Sequence, residues 1–168
     1  MKNILVILLL SCVYSFGQDL KSGIITLQDF ELKTEDTSDD HDAILILNSV
    51  DVVFVDYKQY LSIRQRIRIE TEKGLDYATQ SIQLYQSDSG RETLKNLSGT
   101  TYNLTDGKVE KVELDVNSVF EEDLSEFYTL KSFTMPDVRI GSIIEFSYVV
   151  ESPFPYIDDI NLQYGIPI

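Results

Sequence analysis

Between Leu61 and Ile69 the chain alternates without a break. Leu61, Ile63, Gln65, Ile67 and Ile69 fall on one side, and Arg64, Arg66 and Arg68 on the other. A two-residue repeat sorts them this way, whereas a helix would scatter the three arginines around its axis. The segment is therefore expected to be a β-strand with a buried face and a wet face, the arginines on the wet side and offsetting neighbouring acids across the sheet.

The rest of the chain follows the same period. Ala43–Leu47 is a short apolar run, Asn48-Ser49 reads as a turn, and Val50–Tyr57 is rich in β-branched and aromatic residues. Glu70–Gly74 is a turn, Ser81–Tyr85 alternates, and Ser87-Asp-Ser-Gly90 turns again. Thr93–Leu104 is expected to be one interrupted strand. Asp106-Gly107 tolerates the positive φ of a tight hairpin and joins it to Lys108–Leu114. Val119–Glu126 reads as a loop or a single helical turn. Phe127–Met135 is a strand that Pro136 stops; Gly141 turns the chain into Ile143–Val150. Tyr156–Gln163 looks irregular, and Tyr164–Ile168 opens one more strand.

Before all this lies one short helix. Thr26 and Asp29 match a capping box, and Leu27, Phe30 and Leu32 share a face. Many short strands with polar turns predict an all-β sandwich or barrel. With no internal repeat and no long linker, the body is a single domain. Three segments result: a leader over 1–17, a leading segment with the helix and an acidic loop over 18–42, and a β-domain over 43–168.

The leader has the marks of a secretory signal. Lys2 precedes an unbroken apolar run, Ile4–Leu10, and Ser15-Phe16-Gly17 places small residues before a cut between Gly17 and Gln18. The run is too short for a spanning helix, which needs about 20 apolar residues. After cleavage no transmembrane segment is expected. Export to the periplasm or the cell surface follows. Leu9-Leu10-Ser11-Cys12 also resembles a lipobox, but Leu10 fits that pattern poorly and the ordinary cut is preferred. Cleavage removes Cys12, the chain's one cysteine, and with it any disulfide, thiol nucleophile or thiolate ligand.

Charge excludes a class of partner. The whole chain carries a net −14. Loss of Lys2 makes the mature chain one unit more acidic. Phosphate backbones and anionic lipid need a basic footprint, so nucleic acid is not an expected partner.

Catalytic and metal chemistry were tested against the residues. His41 is the one histidine, it sits in a charged loop, and no nucleophile-elbow motif is present. Asp36, Asp39, Asp40 and Asp42 offer oxygen ligands to calcium. Counted from Asp36, however, an EF-type loop would have His41 where glycine is needed and Leu47 where the last acid is needed. They remain an irregular calcium candidate, with a solvated acidic loop as the default. Glu121, Glu122, Asp123 and Glu126 read as loop charges rather than a glycosidase pair. Tyr57, Tyr60, Tyr77, Tyr85, Tyr102 and Tyr128 read as half-buried sheet residues in preference to sugar platforms, and the arginine stripe is a second, weaker candidate for acidic glycans. No catalytic residue and no cofactor is assigned.

A set of landmarks carries a family resemblance. Asp42-Ala43 opens the first apolar run, and Arg66-Ile-Arg-Ile69 is followed by Gly74. Asp76-Tyr-Ala-Thr79 leads into Ile82-Gln-Leu-Tyr85. Tyr102-Asn-Leu104 is joined to Asp106-Gly-Lys108, and Phe120-Glu-Glu122 precedes the block from Phe133-Thr-Met-Pro136 to Ser152-Pro153. In this order the chain resembles the β-rich domain, of unknown function, that precedes a transglutaminase-like core in many secreted bacterial proteins. The resemblance implies an immunoglobulin-like antiparallel sandwich that supports a papain-like Cys-His-Asp core in cis. It implies that no triad residue lies in this chain. Similar domains run on past the position of Ile168, so a longer natural protein is expected. The alternative is a free-standing module binding an envelope glycan or protein.

Overall fold

The structure, a computed structural model, describes residues 23–31 and 41–154. The leader with Cys12 and the Gly17–Gln18 cut, the acids Asp36, Asp39 and Asp40, Leu32, and the strand expected at Tyr164–Ile168 lie outside the described residues.

Among the described residues, nine strands follow one short α-helix, α1 (Leu27–Phe30). They are β1 (Ala43–Val55), β2 (Lys58–Ile69), β3 (Thr79–Ser87), β4 (Gly90–Arg91), β5 (Thr93–Thr105), β6 (Lys108–Glu113), β7 (Phe120–Asp123), β8 (Tyr128–Thr134) and β9 (Ile143–Ser152). Five make one sheet in the order β1-β2-β9-β5-β6, and four make the other in the order β4-β3-β8-β7. Every pairing is antiparallel. The all-β sandwich with a short N-terminal helix is as expected.

Two sequence expectations are corrected here. Asn48-Ser49 does not turn: β1 is one continuous strand whose irregularity is a register shift between Leu45 and Leu47. A bulge inserts a residue and leaves the in-out alternation intact on either side. The turn comes later, at Asp56-Tyr57, both with positive φ. Half of Val119–Glu126 is strand and the rest is irregular. A 3₁₀ turn, Val116–Ser118, precedes it, and Phe120–Asp123 pairs with β8 as an edge strand.

The register explains the core. Leu45, Ile67, Ile144 and Thr101 lie in one row across the large sheet and face inward. Ile82, Leu84 and Phe133 answer from the small sheet, and Phe133 meets Phe146 edge-on with centroids 5.6 Å apart. Two glycines allow close approach. A Cβ on Gly99 would lie 2.8 Å from Met135 Sδ, and one on Gly74 would lie 1.9 Å from the Asp42 carbonyl oxygen. That carbonyl accepts from the Glu70 and Thr71 amides, tying the start of β1 to the end of β2.

Candidate functional site

The main correction lies on β2. The row Leu47–Arg66–Glu145–Thr100 faces away from the core, as expected for the arginine side. Yet Arg66 has no exposure and Arg68 only 7%. Every residue from Gln65 to Ile69 is buried, so this half of the strand is covered on both faces. Arg64, nearer the hairpin, remains half-buried.

The cover is the leading segment, 23–31. Arg66 Nε and Nη2 both donate to Glu145 Oε2, at 2.7 and 2.5 Å. The other oxygen of Glu145 accepts from the Gly23 amide at 2.8 Å. Arg66 Nη1 lies 3.6 Å from Asp29 Oδ1. Arg68 donates to the carbonyls of Asp29 and Phe30 at the end of α1, and pairs with Glu70. Basic side chains satisfy helix-end carbonyls in this way. Lys111 Nζ reaches the Gly23 carbonyl at 3.4 Å and sits over the Tyr102 ring.

The helix forms as its sequence indicates but turns a different face inward. Thr26 and Asp29 make the capping box, with Thr26 N–H donating to Asp29 Oδ2 at 2.6 Å. Leu27, expected on the packed face, is half exposed, and the buried residue of α1 is Asp29. A buried charge is tolerable only when paired and hydrogen-bonded, and here the pairing crosses three chain segments.

Tyr102 lies beneath Lys111. Burial pushes its phenol above the ordinary value, and the nearby Glu145 carboxylate adds to this. The group is thereby kept neutral. The site fastens a segment to a sheet through charge-assisted hydrogen bonds.

A second polar cluster pins the turn after β8. Ser142 Oγ donates to Asn103 Oδ1 at 2.6 Å, and Arg139 Nε donates to the same oxygen. Asn103 Nδ2 donates to both the backbone and the side chain of Asp137. This gives the Pro136–Ser142 block a structural reason for its residues.

The other sequence candidates are scattered. Asp42 is engaged by Thr71 Oγ1 at 2.7 Å, and His41 stands just before β1. Among the described residues no group of three or more His, Cys, Asp or Glu side chains is placed to hold a metal. Glu121 pairs with Lys131, and Asp123 accepts from Thr129. Of the tyrosines, Tyr102 is buried as expected, but Tyr57 is 99% exposed at the β1–β2 turn. Tyr85 and Tyr128 pack together with centroids 5.5 Å apart. No helix among the described residues is long and apolar enough to cross a membrane.

The sequence held a signal for the charge cluster that strand-by-strand reading missed. Glu145 interrupts the apolar run Ile143–Phe146, and an acid there requires a buried partner. Asp29 carries no such signal beyond its place in the capping box.

Comparison with known proteins gives three results. Residues 56–163 match the sequence pattern of a family described as "Domain of Unknown Function with solved-structure structure (DUF3857)". A search of curated proteins finds no match. Among solved structures, the chain is similar to a protein from Parabacteroides distasonis ATCC 8503 described as a "putative protease", with a TM-score of 0.55 and 17% identity. The likeness covers 66% of this chain and 23% of that one, and it concerns the fold.

Proposed function

The chain belongs to the DUF3857 family, and from that premise we propose that it is a non-catalytic, exported module that supports a transglutaminase-like catalytic domain in a longer protein. One observation carries the reading: the likeness in fold covers only 23% of a chain described as a "putative protease". The polar chemistry agrees with it. The buried ion pairs are spent on holding chain segments together, and the Asn103–Ser142 cluster on holding a turn. Export rests on the leader sequence, and the catalytic neighbour rests on the family resemblance.

The test is the mass of the native protein, with the reading frame beyond Ile168. A longer product with Cys, His and Asp in papain-like order supports the proposal. Deleting residues 41–154 from it should then abolish activity or soluble folding of the catalytic part. A native protein no longer than this chain, or a catalytic part indifferent to the deletion, would falsify it.

One feature favours binding as a second reading. The register puts Phe120, Leu130, Tyr128 and Tyr85 on the outer face of the small sheet, and Phe120 is 62% exposed. A glycan array with the full chain tests this, and Phe120→Ala should remove any specific signal.

A further inference from the structure

The far end of β1 is a long, apolar sheet edge. Among the described residues β1 pairs with β2 alone and stands first in the large sheet. Val53, Phe54 and Val55 are 53%, 55% and 47% exposed. Proteins usually protect such edges with lysine, proline or inward charges. From Val50 to Val55 the one charge is Asp51. The strand ends in Asp56-Tyr57, where a bulky residue holds a φ of +64° and projects into solvent. Left-handed backbone is costly for such a side chain.

We propose that this edge pairs with a second copy of itself, antiparallel from Ser49 to Val55, about a two-fold axis at Val52. The two five-stranded sheets then become one continuous sheet.

The sequence of the edge is self-complementary in one register. Residues directly opposite in an antiparallel pair point to the same face, so the axis must pass through a residue position. Centring on Asp51 sets that carboxylate against its own mate, which is unfavourable. Centring on Val53 shortens the pairing to Asp51–Val55, because Asp56 has left-handed backbone and lies outside the strand. Centring on Val52 sets Val50 against Phe54, Val52 against Val52 and Ser49 against Val55, with Asp51 opposite Val53. The face shared with Leu61 and Ile63 then continues across the join as valine and phenylalanine. Centres further along the strand run into the bulge beside Ile46 or into the turn. Each copy carries −14, so association is opposed by long-range repulsion that salt screens.

Sedimentation velocity of the full chain, across concentration and salt, is the first measurement. The expected result is a monomer–dimer equilibrium that tightens several-fold as salt is raised. Phe54→Lys should weaken it about tenfold or more and leave the thermal midpoint in place, because Phe54 is already half exposed. Register is read by cross-linking in a Cys12→Ser background, with copper and air as oxidant. Val52→Cys alone should form a covalent dimer. Val50→Cys alone should not, but mixed with Phe54→Cys it should. A chain that stays monomeric throughout overturns the proposal, as does a dimer that survives Phe54→Lys or that cross-links equally from positions 50 and 52.

Discussion

The two ends of the β1–β2 ladder are built from the same strands and meet opposite fates. At the Ala43–Ile69 end both faces are covered, one by the small sheet and one by residues 23–31. At the Val55–Lys58 end Val53, Phe54 and Val55 of β1 are exposed on both faces, although Gln59 opposite Phe54 is buried. Alternation is similar at the two ends. What differs is the layer laid over each. Burial is therefore a property of what lies across from a strand, and a strand's own pattern shows only that its faces differ.

The comparison can be broken most severely at the covered end. Glu145→Ala leaves Arg66 buried without its main partner and should cost about 3–5 kcal/mol by denaturant unfolding. Replacing Arg66 with Met and Glu145 with Leu together should recover most of that loss. Gly74→Ala drives a Cβ into the Asp42 carbonyl that joins β1 to β2, and a loss of about 2–3 kcal/mol is expected.

Tyr102 sharpens the contrast through pH. Its folded pKa is raised above 10.0, first by burial and then by Glu145. A raised value means the folded state holds the proton more tightly than the unfolded chain. The stability it lends is therefore complete below pH 10.0 and lost as pH rises through the folded value. Melting temperatures should fall in that alkaline window, and Tyr102→Phe should flatten the fall.

At the open end the effects are small. Tyr57→Gly relieves a left-handed tyrosine and should stabilise by about 0.5–1 kcal/mol. Lys58→Met removes the ion pair with Glu151, which holds the lysine pKa up and the carboxylate pKa down. Lys58 faces solvent, and the unfolding midpoint should not move.

Much of this was legible in the chain. The Asp106-Gly107 hairpin, the break between Pro136 and Gly141, and the capping box of Thr26 and Asp29 are set by local backbone chemistry, which sequence states directly. The arginine face was misread because its cover comes from residues far away in the chain. Arg66 looks like a surface residue until Asp29 and Glu145 are brought to it, and neither is its neighbour in sequence. Asn48-Ser49 was misread for a related reason. Two polar residues suggest a turn, but the pairing with Gln65 and Arg64 carries the strand straight through. Tyr57 departs from the usual Asn-Gly or Asp-Gly choice at a tight turn, and its exposure shows only once the strands are in place.

The clamp over residues 23–31 also sets an order of events. Gly23 and Glu145 are 122 positions apart, and Arg66 and Glu145 are 79 apart. The bond between the leading segment and β9 therefore joins the first part of the described chain to one of the last. Such distant closures are slow and come late in folding. Glu145 can complete the clamp only once β9 is present, whereas the contacts of Arg66 with Asp29 and of Arg68 with the Asp29 and Phe30 carbonyls join segments closer in the chain.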